Sequence, residues 1–78
     1  HGIIDGYFVG DDGLELFDYK TDHVDQSTTA LKERSEQRIV DRYSGQLNLY
    51  AGALQNVERQ KVEHRWLYLV ATRELKEI

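Results

Sequence analysis

Cysteine, methionine and proline are all absent from this 78-residue sequence, and tryptophan occurs once. Without cysteine there is neither a disulfide staple nor a thiolate zinc site. Without proline there is no Pro-rich linker. A chain that holds no methionine and opens on His1 is expected to be a segment of a longer protein. No apolar run reaches the roughly 18 residues of a membrane span, and no basic-then-apolar leader is present, so neither a spanning helix nor a retained signal peptide is expected. A domain of this size buries only about 60% of the surface its unfolded chain exposes, which leaves a small core with nothing covalent to support it.

What is present is acidic, and unevenly so. The formal net charge is -4. Residues 1–25 hold seven acids (Asp5, Asp11, Asp12, Glu15, Asp18, Asp22, Asp25) and a single base, Lys20. The remainder carries a slight basic excess. A protein that grips nucleic acid by charge alone would be basic throughout. An acidic stretch around one lysine suggests either a metal–carboxylate centre or a solvated edge.

Local patterns give the elements. Ile3–Val9 is β-branched and aromatic and reads as a strand. Gly10-Asp11-Asp12-Gly13 is a dense turn signal, and Leu14–Lys20 reads as a second strand, so the two make a hairpin. Residues 21–30 are polar and loop-like, with Ser27 or Thr28 suited to cap a helix. From about 31 to 58, Ile39, Tyr43, Leu47, Tyr50, Leu54 and Val57 recur at helical spacing. Gly45 and Gly52 each cost that helix about 1 kcal/mol against alanine, so a close contact is expected at both. Val62–Ala71 reads as a third strand. The fold class is α/β in the mixed α+β sense: a β-hairpin, then a helix, then a strand.

Chemistry concentrates in the second strand. Alternation places Leu14, Leu16, Asp18 and Lys20 on one face, with Asp18 and Lys20 about 6.5–7 Å apart along the chain. A carboxylate and an ammonium ending an apolar row are costly to bury unless they are paired or hold something. On the first strand, Asp5 alternates with Ile3 and Tyr7 and can converge with Asp18 across the hairpin. Two such carboxylates beside a lysine make a hard-oxygen site suited to Mg²⁺ or Mn²⁺. Taken as spacing alone, the Asp18–Lys20 pair is a weak signal, and a solvent-facing ion pair on an edge strand is the more ordinary reading of it.

Three motifs extend the argument. Gly2-Ile3-Ile4-Asp5, then Asp18-Tyr19-Lys20-Thr21, then Gln46-x-x-x-Tyr50 within Tyr43–Ala51 together resemble the RecB-type nuclease domain of the PD-(D/E)xK superfamily. Within it, the likeness is to the C-terminal nuclease of bacterial ATP-dependent helicase/nuclease subunits of the A type. The match runs through most of the chain; residues 21–37 add little to it.

The resemblance implies a fragment of a restriction-endonuclease-like core spanning residues 1–78, with an upstream helical part and helicase domains outside it. Asp5 would be the first metal-binding aspartate and Asp18 the second. The Tyr19 backbone carbonyl would join them, and Lys20 would be the catalytic lysine. Gln46 and Tyr50 would support the site and contact DNA; at i and i+4 they share a helix face, although Tyr50 also fits a core aromatic. The implied activity is Mg²⁺-dependent (or Mn²⁺-dependent), exonuclease-type hydrolysis of DNA phosphodiesters. In the parent, a bacterial cytoplasmic helicase-nuclease, it would process double-strand breaks together with a second, partner subunit.

A further ligand, usually histidine, lies upstream in such domains, so the isolated fragment is expected to bind metal weakly and cut poorly. His1, His23 and His64 are not expected to be ligands. Exposed strand edges are expected to permit self-association. The alternatives are a catalytically inactive nuclease-like module that binds DNA or a partner subunit, and an unrelated small interaction domain in which these charges lie on the surface. Asp11, Asp12, Asp22 and Asp25 are expected to remain surface charge.

Overall fold

A computed structural model describes residues 5–78. His1, the Gly2 of the Gly-x-x-Asp motif, and Ile3 and Ile4 of the first expected strand lie outside the described residues. Strand β1 (Gly6–Val9) and strand β2 (Leu14–Lys20) form the expected antiparallel hairpin, joined through Gly10–Gly13. Helix α1 spans Thr29–Glu58, and strand β3 (Val62–Leu69) returns parallel to β2. A fourth strand, β4 (Glu74–Glu77), folds back antiparallel on β3, giving one mixed sheet in the order β1-β2-β3-β4. The mixed α+β class expected from the sequence is the class observed.

Local chemistry explains these boundaries. Gly13 sits at φ +150, and a Cβ there would stand 2.8 Å from the Lys61 carbonyl, so the turn into β2 requires glycine. Thr28 caps α1: its hydroxyl oxygen accepts from the Leu31 amide at 3.0 Å. The helix stops at Arg59, whose φ of 55 is left-handed, and Gln55 then accepts the Val62 amide at 2.9 Å. That side chain ties the end of the helix to the start of β3.

The β2–α1–β3 crossover lays the helix on one face of the sheet. Leu14, Leu16, Val62, Leu67 and Leu69 from the strands meet Ile39, Leu47 and Ala51 from the helix, with Val24 of the loop closing one side. A register shift between Leu14 and Glu15 leaves Glu63 as an extra residue, so that Val62 and Leu67 can both face inward. The expected stripe on α1 packs inward through Leu54 but not at Val57, which is 76% exposed. The end of the helix is still within reach of the sheet there, because Glu58 accepts from the Tyr7 hydroxyl of β1 at 2.8 Å; Val57 itself faces solvent. Gly45 and Gly52 correct another expectation. A Cβ at either would meet nothing within 4 Å among the described residues, so no close contact explains them.

The other face of the sheet has no covering layer among the described residues. Phe8, Phe17, Tyr19, Trp66 and Tyr68 line a shallow hollow of about 760 Å³ there. Phe17 and Tyr19 pack with ring centroids 5.8 Å apart, and Tyr19 meets Tyr68 edge-on at 5.7 Å.

Candidate metal centre

The inward row of β2 begins with two leucines and ends with two charges. Leu14 and Leu16 are fully buried, and Asp18 follows them at 3% exposure. Lys20 reaches back so that its Nζ lies 2.9 Å from Asp18 Oδ2. The solvent-facing ion pair is therefore excluded for this Asp-x-Lys. Burying such a pair is costly, and a carboxylate kept at that depth calls for partners.

Asp5 supplies one. It stands just ahead of β1, on the strand that flanks β2, and its Oδ2 accepts the Tyr19 amide at 2.7 Å. The carboxyl groups of Asp5 and Asp18 are close enough to shift each other's ionisation. The amide and carbonyl of one strand residue point toward the same edge. The Tyr19 carbonyl therefore faces the edge where Asp5 sits, while the next carbonyl, that of Lys20, accepts from Val70 on the β3 side at 3.0 Å.

Electrostatics separates the two carboxyls. The backbone hydrogen bond from Tyr19, then the contact with Asp18, hold Asp5 below its ordinary range. Burial, then the neighbouring Asp5, push Asp18 upward, against the opposing pull of Lys20. Two carboxyls facing one ammonium carry more negative charge than the site neutralises. Desolvation works to lower Lys20, but the hydrogen bond and charge of Asp18, with Tyr43 and Asp22 beyond, outweigh it and hold the ammonium above its usual value.

Two contributors were not singled out from the sequence. Lys20 Nζ stands 4.2 Å from the centroid of the Tyr43 ring, a cation–π contact. The Tyr43 hydroxyl donates to both oxygens of Asp22, at 3.1 and 3.0 Å, and Arg42 pairs with Asp22 at 3.2 Å. Asp22 is thus not free surface charge; it anchors the tyrosine that flanks the lysine. Asp25 lies in the same loop, where its carboxylate accepts from the Ser27 amide at 3.0 Å and from the Ser27 hydroxyl, shaping the turn before α1. The available signal was Tyr43 at a core-stripe position directly after a basic residue, with Asp22 two residues beyond Lys20.

Gln46 and Tyr50 lie on α1 as their spacing requires. Tyr50 is half-buried and packs against the core, as its reading as a core aromatic allowed. Gln46 is half-buried, so solvent can satisfy its amide. Among the described residues neither hydrogen-bonds to Asp5, Asp18 or Lys20; the helix residue that reaches the lysine is Tyr43, one turn earlier. His23 is exposed in the loop, and His64 is engaged elsewhere, 2.6 Å from Glu77.

Among the described residues no cluster of three or more His, Cys, Asp or Glu side chains gathers around a common point. What the centre offers is two carboxylates and the adjacent edge of β2. All of these donors are hard oxygens, and their negative charge exceeds what one lysine balances. A hard divalent cation fits that donor set.

No family model matches the chain. It is 51% identical over 75 residues to a protein of Levilactobacillus brevis named as the A subunit of an ATP-dependent helicase/nuclease, an alignment covering 96% of this chain. Proteins of the same name in Lacticaseibacillus casei and Lactobacillus acidophilus are 51% identical over 72 residues and 44% identical over 78. The chain is similar to one short stretch of these helicase/nuclease subunits. It spans about 5–6% of the length of these relatives. No helix among the described residues is long and apolar enough to cross a membrane.

Proposed function

We propose that this segment is part of the nuclease centre of an ATP-dependent helicase-nuclease, hydrolysing DNA phosphodiesters with Mg²⁺ or Mn²⁺. The observation that carries the reading is the meeting of Asp5, buried Asp18 and Lys20 at one end of β2. The relatives' name, the A subunit of an ATP-dependent helicase/nuclease, supports the reading; in that setting a motor would feed DNA ends to this site, working with a second subunit in the bacterial cytoplasm during break repair.

Asp5, Asp18 and the Tyr19 carbonyl would hold the ion. Bound there, a divalent cation would lower the pKa of a coordinated water and neutralise charge on the phosphate. The Tyr19 amide fixes the Asp5 carboxylate at the strand edge, so its orientation is set before anything binds. Lys20 stays protonated, because Asp18 offsets its desolvation. It therefore acts as a donor rather than a base, orienting a water or bonding a phosphate oxygen as negative charge develops. The Tyr43 ring beside it and the Asp18 carboxylate restrict where that ammonium can go. Gln46 and Tyr50 would support the site and the strand from the helix.

The test is cleavage of end-labelled oligonucleotides by the full-length protein with Mg²⁺. Asp18→Ala and Lys20→Ala should each remove cleavage while leaving ATP hydrolysis in place. Cleavage that survives both substitutions means the assignment is wrong.

A further inference from the structure

Beside the centre, on the far side of Asp22, the loop after β2 and the flank of α1 enclose a polar hollow of about 200 Å³. Asp22, His23, Ser35, Arg38, Ile39 and Arg42 line it. Arg38 and Arg42 are four residues apart on α1, so their guanidinium groups serve the same helix face. Arg42 is committed to Asp22. Arg38 is exposed and has no carboxylate partner among the described residues. Asp22 is the one acid in the lining, and its two oxygens are already taken by Tyr43 and Arg42.

Ser35 adds an independent observation. It is 9% exposed, and its Oγ accepts the Asp25 amide at 3.2 Å. An accepting hydroxyl keeps its own proton to donate. The hollow therefore combines an uncommitted guanidinium, a buried hydroxyl with a free proton and a loop histidine. These groups suit a tetrahedral oxyanion.

We propose that this hollow binds a backbone phosphate of the DNA strand, neighbouring the phosphate that is cut. Arg38 makes the principal contact and Ser35 donates from the floor. Asp22 couples the hollow to the centre, because the tyrosine it anchors is the one flanking Lys20. The inference rests on the nuclease reading. It gives the strand a second point of attachment, which sets its register on the centre.

The experiment measures binding of the full-length protein, in EDTA and without nucleotide, to single-stranded oligonucleotides carrying one neutral methylphosphonate at successive positions. For the unaltered protein, one position should weaken binding about fivefold, the scale of one charge-assisted contact. Arg38→Gln should lose sensitivity at that position alone and flatten the log–log salt slope by about 0.7, the value for one phosphate on single strands. Arg38→Glu should weaken binding further. Arg59→Gln, at the far end of α1, should keep the unaltered profile. Should Arg38→Gln keep it too, the hollow does not hold a phosphate. Because no cleavage is involved, the outcome is independent of the Asp18→Ala cleavage test. A profile that changes with Arg38 while Asp18→Ala still cuts would retain the phosphate site and discard the nuclease centre.

Discussion

Tyr43 offers a way to separate two contributions that share one side chain. Its hydroxyl donates to Asp22, while its ring lies beside the Lys20 ammonium. Tyr43→Phe removes only the first. A hydrogen bond to a charged group contributes about 1.5–3 kcal/mol. Asp22 is 21% exposed and keeps Arg42, so the loss should be nearer about 1 kcal/mol. For a domain of this size that corresponds to a melting temperature lower by about 4–8 °C. Tyr43→Leu removes the ring as well. It forfeits about 1 kcal/mol of cation–π attraction, since Lys20 is 18% exposed, and a further 1–2 kcal/mol or so of aromatic packing.

Activity should separate more sharply than stability. Tyr43→Phe leaves the surface flanking Lys20 intact, and cleavage should fall by less than about threefold. Tyr43→Leu frees the ammonium, and lost positioning worth about 1–2 kcal/mol lowers the rate about 5- to 30-fold. Melting followed by circular dichroism and Mg²⁺-dependent cleavage by the full-length protein give the two readouts. Equal cleavage by the phenylalanine and leucine variants would refute the role of the ring, and an unchanged melt for Tyr43→Phe would refute the Asp22 link.

Further expectations concern the scaffold. Gly13→Ala should destabilise by about 1–3 kcal/mol, because its φ and the Lys61 carbonyl both exclude a Cβ; denaturant melts measure this. Gly45→Ala should do the opposite and stabilise by about 1 kcal/mol, since the added methyl meets open space; an unchanged or lower midpoint would contradict it. His64 is held above its ordinary value by the hydrogen bond to Glu77, with Asp12 on its other nitrogen. Its stabilising contribution should be complete below the unfolded value near 6.5 and be lost as pH rises through the higher folded value. His64→Gln should therefore lower the melting temperature at pH 5.5 more than at pH 9. Glu36, buried on α1, accepts from Thr72 at 2.6 Å and pairs with Lys76 at 3.3 Å. Desolvation opposes its ionisation, but these partners prevail and lower it, so its contribution is present above about 4.5 and disappears as pH falls through the folded value. Glu36→Gln should flatten the acid limb of the stability curve, as melts from pH 3 to 6 would show.

How much of this was legible in the sequence follows from how local each signal is. The bounds of β2 and the inward row Leu14, Leu16, Asp18, Lys20 came from strict alternation, which needs no tertiary information. The cap at Thr28 and the body of α1 were equally local. Strand β4 was not anticipated. Glu74–Glu77 is rich in charge, and its turn contains no glycine or proline because Arg73 itself takes the left-handed conformation, φ 57. As an edge strand bearing glutamate and lysine, it looks like solvated chain until β3 is there to pair with it. The same holds for Asp22: its loop reads as polar, and only the fold brings Tyr43 over it. Val57 follows the helical period faithfully, yet its side chain faces solvent. Periodicity reports which face a residue is on, not whether anything lies opposite.

The central claim is that Asp5 and Asp18 share one divalent cation at the edge of β2. Anomalous scattering from crystals of the full-length protein soaked in Mn²⁺ tests it most directly. The expected result is a single peak about 2.0–2.4 Å from oxygens of both carboxylates and near the Tyr19 carbonyl, lost in Asp18→Asn. A difference map with no peak between the two carboxylates, or a peak that persists in Asp18→Asn, would contradict it.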